Sequence, residues 1–134
     1  MRREFELTEE DEECLEANGY EWEAIIEGDV KWLIILNYLI VSGYNVTIAK
    51  AALRMPPKYP DEQIDMVYFD PPLALQSGRG INNLSLLTID KAQYQQWSRH
   101  RTSANPWRPG LDNVCTHLLQ VRTWLQREVQ KAAA

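Results

Sequence analysis

Five of the seven prolines in this chain fall in two tight clusters, Pro56, Pro57 and Pro60 on one side and Pro71 and Pro72 on the other. Proline has no backbone N–H to donate and holds φ near a single value, so neither cluster can lie inside a helix or a central strand. Both must be rigid connections. The apolar stretch they enclose, Ile64 to Phe69, is then predicted as a short strand in which Met66 and Tyr68 alternate with Val67 and Phe69.

Ahead of the first cluster the pattern is that of a helix followed by strands. Thr8 can cap a helix whose first turn carries Glu9, Glu10, Asp11, Glu12 and Glu13, where the helix dipole favours negative charge. Gly19 ends it. The acidic side of this helix is expected to be a solvated face. Tyr20 to Glu27 is rich in aromatic and branched residues and runs into Gly28-Asp29, a hairpin signal. Val30 to Val41 reads as a long buried strand, Ser42 to Asn45 as a turn, and Val46 to Met55 as a third strand. With Ile64 to Phe69 these make an antiparallel four-stranded meander.

Behind the second cluster the signal weakens. Gln76 to Asn83 holds two glycines and two asparagines and reads as loop, and Leu84 to Ser103 has no clear period. The end is well marked. Asp112 is predicted to cap a helix with Val114, Leu118, Val121, Leu125 and Val129 at helical spacing, and Lys131 to Ala134 should fray. The expected fold is α+β: an N-terminal helix, the meander, and a C-terminal helix packed on the sheet, in one domain spanning residues 1–134. A chain that is 45% hydrophobic with five tryptophans can close such a core without metals or cross-links.

Charge narrows the function. A net charge of −5 argues against general nucleic-acid binding, which needs a basic surface, although Arg99, His100, Arg101 and Arg108 form a local basic area suited to a defined anionic partner. The apolar run Val30 to Val41 is too short to span a bilayer and contains Lys31 and Asn37. Two cysteines, Cys14 and Cys115, do not make a disulfide framework, and no leader pattern opens the chain, so a reducing cytoplasm is expected. No glycine loop of the phosphate-binding kind is present, and the two histidines lack metal-ligand spacing, so no cofactor or metal is expected.

Two stretches carry a resemblance. Met55-Pro56-Pro57-Lys58-Tyr59-Pro60, ending at Asp70-Pro71-Pro72, resembles the proline-bracketed strand of the ubiquitin-conjugating-enzyme (UBC-like) fold. Trp107-Arg108-Pro109-Gly110, leading to Trp124-Leu125, resembles that family's Trp-x-Pro segment and the helix after it. More narrowly, Tyr59-Pro60-Asp61, Asp65-Met66, Trp97-Ser98-Arg99-His100 and Trp107 to Asp112 look like a bacterial branch of the superfamily. The resemblance implies a ubiquitin-like protein and its activating enzyme as partners, with ATP chemistry left to the latter.

Conventional members hold a ubiquitin-like carboxyl terminus as a thioester on a cysteine roughly eight residues before the Trp of Trp-x-Pro. Counting back from Trp107 lands on Arg99, between Ser98 and His100. Cys115 lies beyond the motif, where a small buried hydrophobe is the expected role, and the thiol of Cys14 sits among carboxylates that would blunt it. In the cysteine's place, Ser98 could act as a nucleophile with His100 as its base and Arg99 or Arg101 steadying the developing oxyanion, passing the modifier on through an oxyester. The same four residues could instead form a polar loop with no chemistry. Counting forward from the Tyr-Pro turn points to Ser85, with Asn82 or Asn83 as the oxyanion donor. The functional expectation is therefore an acyltransferase-like component of a modifier pathway, or a non-catalytic module that holds the modifier or its activating enzyme.

Overall fold

The computed structural model describes residues 1–133. Helix α1 (Glu9–Ala17) precedes strands β1 (Trp22–Glu27), β2 (Val30–Leu39), β3 (Ile48–Met55), β4 (Asp65–Asp70), β5 (Leu84–Ile89) and β6 (Ala92–Trp97), and helix α2 (Val114–Ala133) closes the chain. The expected four strands do form in sequence order, but the sheet has six, in the order β1-β2-β3-β4-β6-β5, all pairs antiparallel. The four-stranded meander is thus corrected to a meander extended by a hairpin. That hairpin turns at Asp90-Lys91, both with positive φ, without the Asn-Gly or Asp-Gly that usually marks such a turn.

One sheet face buries the main core. Leu33, Ile35, Ala51, Leu53, Val67, Phe69 and Trp97 pack with Val114, Leu118, Val121, Trp124 and Leu125 of α2. Two tyrosine hydroxyls lock the helix to the sheet side, Tyr38 donating to the Leu118 carbonyl at 2.8 Å and Tyr44 to that of Leu125 at 2.7 Å. Gly43, at φ +114°, lies so close to the helix that a Cβ there would meet Val129 Cγ2 at 2.9 Å. Helix α2 extends to Ala133, and Ala134, the last residue of the stretch expected to fray, lies outside the described residues.

The other face is covered by the β5–β6 hairpin. β6 pairs with β4 only from Val67↔Trp97 to Phe69↔Gln95, yet the hairpin tip, Asp90, is bonded to Arg2 and to Glu27 at the opposite edge. Crossing from β4 to β1 means three strand spacings, roughly 14 Å, and the five residues from Gln95 to Asp90 reach roughly 16 Å. The free half of the hairpin therefore folds across the sheet, where Ile89 and Tyr94 bury Ile25, Trp32, Ile34, Ala52 and Tyr68. Arg2 pins the tip, with Nη1 2.8 Å from Asp90 Oδ1 and Nε 3.0 Å from Glu23 Oε2.

Polar residues that look out of place in the sequence have partners. Asn37 falls where the β2–β3 register shifts, and its side chain accepts from the Glu21 amide at 2.8 Å and donates to the Gly19 carbonyl at 3.1 Å. Asp11 does not belong to a solvated face; it is fully buried. Its carboxylate accepts from the Tyr59 hydroxyl at 2.7 Å and from the Val114 amide at 3.1 Å, capping α2 from the other end of the chain. Asp112 is not the expected cap of α2. Asn113 takes that place, bonding Thr116 reciprocally at 3.0 and 2.8 Å, while Asp112 accepts from the Arg108 amide at 2.7 Å in the preceding turn. Burial pushes the Asp112 carboxyl up, but that amide, the Thr116 hydroxyl and the Arg101 charge together bring it below the usual range.

The cysteine expectation is also overturned. Cys14 of α1 and Cys115 of α2 are joined as a disulfide across 101 positions, with Cα atoms 6.4 Å apart. Nothing in a two-cysteine sequence signals that pairing, because it depends on α1 crossing the start of α2. No helix among the described residues is long and apolar enough to cross a membrane.

Candidate functional site

The two proline-containing motifs meet at one corner of the molecule. The Trp107 indole donates to the Pro60 carbonyl at 2.9 Å, and its ring lies against Tyr59 with centroids 6.2 Å apart. Tyr59 in turn binds the buried Asp11, so α1, the Tyr-Pro turn and the start of α2 hold Trp107 in place. The irregular segment from Ser98 to Asn113 runs between this corner and the end of β6.

His100 stands in that segment, exposed, with Nδ1 2.9 Å from both oxygens of Asp65 at the start of β4. A carboxylate can only accept, so in the neutral imidazole paired this way the proton is on Nδ1 and Nε2 carries the free lone pair. Sequence reasoning named His100 but missed Asp65 as its partner. The two are 35 positions apart, and no local pattern connects them.

Asp65 is itself held. The Met66 amide donates to its Oδ1 at 3.1 Å, and Met66 has φ +60°, a conformation non-glycine residues seldom adopt. The Met66 carbonyl accepts from His117 Nε2 at 2.8 Å. His117 is fully buried in α2, edge-on to Trp124, and burial pushes its imidazole down to about 4, so it is neutral at ordinary pH. A chain of contacts thus runs from the helix interior through a strained backbone residue to the exposed His100.

Ser98 is half-buried, and its amide donates to the Asn83 carbonyl at 3.1 Å, adding one rung to the β5–β6 ladder. Its hydroxyl makes no hydrogen bond with His100 among the described residues. Ser85 is exposed and lies opposite Gln96. Alternation puts Ser85 on the same hairpin face as Ser98, at a diagonal spacing of about 7 Å. The two counting rules that point to Ser98 and Ser85 therefore converge on one patch, with Asn83 beside Ser98.

The arginines, adjacent in sequence but for His100, part company. Arg99 stacks on Trp97 and pairs with the buried Glu128 at 3.2 Å, a carboxylate that Arg79 and Lys131 also approach. Arg101 turns the other way, over the Trp107 ring at 5.2 Å from its centroid. There it lines an open cleft of about 420 Å³ with Asp61, Gln63, Thr102, Ser103, Pro106, Trp107 and Pro109. A second cleft, of about 380 Å³, is lined by Arg54, Pro56, Pro57, Glu62, Gln63, Asp65, Met66 and Tyr68. Gln63 is common to both, so the segment leading into β4 divides them.

Residues 7–128 match the profile of a family described as Prokaryotic E2 family E. No curated protein and no solved structure matches the chain.

Proposed function

The chain belongs to Prokaryotic E2 family E, and from that premise we propose that it receives the activated carboxyl terminus of a ubiquitin-like protein and transfers it through a centre made of Ser98, His100 and Asp65. The observation that carries this reading is the exposed His100, oriented by Asp65 so that Nε2 can take a proton. The Asn83 carbonyl bonds the Ser98 amide, which supports Asn83 as a second polar residue next to the proposed acceptor. The disulfide supports the same reading, since it leaves no free thiol among the described residues to form a thioester.

In the first step Ser98 Oγ attacks the activated carbonyl, His100 Nε2 takes the hydroxyl proton, and the activating group departs with the bonding electrons. In the second, once the departed group has carried off that proton, His100 takes a proton from the attacking amine or hydroxyl and returns it to Ser98 Oγ as the ester bond breaks. Asp65 accepts from Nδ1 throughout and stabilises the imidazolium formed in between.

A second reading, a non-catalytic module that holds the modifier or its activating enzyme, is favoured by one observation: the Ser98 hydroxyl is not bonded to His100. An incubation with a ubiquitin-like protein, its activating enzyme and ATP separates the two. The transfer reading expects a covalent adduct that survives thiol reductant and is cleaved by mild alkali. Co-purification of the partners with no adduct under any condition would leave the binding module.

A further inference from the structure

The two edges of the sheet differ. β1 is closed by the N-terminal segment. The Ala24 amide donates to the Arg2 carbonyl at 3.0 Å, and its carbonyl accepts from the Glu4 amide at 2.8 Å. The Ile26 amide donates to Glu4 Oε1 at 2.7 Å, and the Arg3 guanidinium donates to the Trp22 carbonyl. β5, at the other edge, is open. Its register with β6 and the bond from the Ser98 amide to the Asn83 carbonyl fix which of its residues face outward. Bonded pairs alternate along an antiparallel ladder, so Ser85, Leu87 and Ile89 direct their backbone groups to β6, while Leu84, Leu86 and Thr88 point theirs away. Among the described residues no hydrogen bond reaches those outward groups.

β5 holds no charged residue, no proline and no register shift, the devices that usually keep a bare strand from pairing. Instead Leu86 is 57% and Leu87 38% exposed. Where β5 begins, Leu84 shares an open apolar pocket of about 230 Å³ with Leu73, Leu75 and Ile81. A row of unpaired donors and acceptors with a pocket on one face fits an extended backbone that carries an apolar side chain. A second copy of this chain fits less well. Two β5 strands paired about Leu86 would set Thr88 of one copy opposite Leu84 of the other, a polar side chain over an apolar pocket.

We infer that β5 is a docking edge that takes the extended tail of the ubiquitin-like protein as an added antiparallel strand, with an apolar side chain of that tail in the Leu84 pocket. The identity of this occupant rests on the proposed function. Its direction follows from Ser98, which is bonded to Asn83 just ahead of β5. A tail that delivers its carboxyl end there runs from Thr88 toward Leu84, opposite to β5. From the added strand to β6 is two strand spacings, roughly 10 Å, which three extended residues beyond the pairing would cross. Recognition by backbone and side chain leaves the activated end itself unengaged.

The test is nitrogen-15 NMR of the disulfide-intact protein titrated with acetyl-Thr-Leu-Thr-Leu-Thr-amide. The Leu84, Leu86 and Thr88 amides should shift saturably and exchange more slowly with solvent. A nitroxide on the peptide's amino end should broaden Ile89 and Asp90 more than Asn83. Methylating both leucine nitrogens of the peptide removes its bonds to β5, and replacing both leucines by serine empties the pocket. Each change should weaken binding at least about tenfold. Leu86→Pro deletes an outward amide while leaving the β5–β6 ladder whole, and should weaken the peptide to the same extent.

Equal binding of the methylated or the serine peptide, no change at β5 up to the peptide's solubility, or the reverse broadening pattern would each overturn the inference. So would a dimer whose β5 amides are protected without peptide. The modified peptides are tested on the wild-type protein and need no variant to fold. Peptide bound at β5 as expected, in a protein that forms no covalent adduct with the modifier, would sink the transfer reading alone. An adduct formed by Leu86→Pro at the wild-type rate would sink this inference alone.

Discussion

At the scale of single residues, two histidines stand in opposite settings. His100 is exposed and paired to Asp65, and the pair matters through tautomer and orientation. In Asp65→Asn the side-chain amide can donate to Nδ1, moving the imidazole proton to Nε2 and removing the base. Single-turnover transfer should then slow by about a hundredfold or more with modifier binding unchanged. An unaltered rate would remove the dyad from the chemistry. His117 is buried and neutral, its folded pKa near 4 against about 6.5 when unfolded. The unfolded state therefore binds more protons between those values, and stability falls as pH drops from about 6.5 to 4. Against His117→Gln, which can still donate to the Met66 carbonyl, the wild type should lose about 3 kcal/mol more over that window in denaturant titrations. Parallel pH profiles for the two proteins would contradict this. Of these residues the sequence could flag His100, because it lies near the end of a short count from Trp107. Asp65 and His117 gain their roles only when β4 and α2 meet, and Arg99 and Arg101 cannot be told apart until Trp97 and Trp107 have fixed locations.

At the scale of elements, the two terminal helices are joined more firmly than their short contact would suggest. Asp11 caps α2 from within α1, and the Cys14–Cys115 bond closes a loop across 101 positions of the chain. Native protein should react with no equivalent of a thiol reagent and reduced protein with two. Reduction should lower stability by on the order of 3 kcal/mol, read from the shift of the unfolding midpoint. A free thiol in the native protein would contradict the pairing. The elements that the sequence announces are those with local signals: the turn at Gly28-Asp29, the proline brackets of β4, and the helical spacing from Val114 to Leu125. The β5–β6 hairpin lacks one. Its turn residues, Asp90 and Lys91, are not the usual positive-φ pair, and β5 has only its last residue buried, so no period-2 pattern appears. The same hairpin is why counting forward from Tyr59 and back from Trp107 give different serines.

At the scale of the whole molecule, the sheet is covered on both faces, by α2 on one and by the hairpin on the other. The hairpin sets the position of Ser98 at its base while Arg2, Glu23 and Asp90 hold its tip. Tyr94→Ala should strip cover from Trp32 and Tyr68 and cost about 3 to 5 kcal/mol. The loss would be seen as a lower unfolding midpoint, and a midpoint unchanged from wild type would show that the hairpin does not shield that face. Finding the atom that carries the modifier decides what the hairpin's base does. Mass spectrometry of the adduct formed with the activating enzyme, ATP and a ubiquitin-like protein should place the ester on Ser98. The adduct should vanish in Ser98→Ala and persist in Ser85→Ala and in a variant without either cysteine. Attachment at Cys14 or Cys115, or an adduct that survives loss of Ser98, would contradict the account.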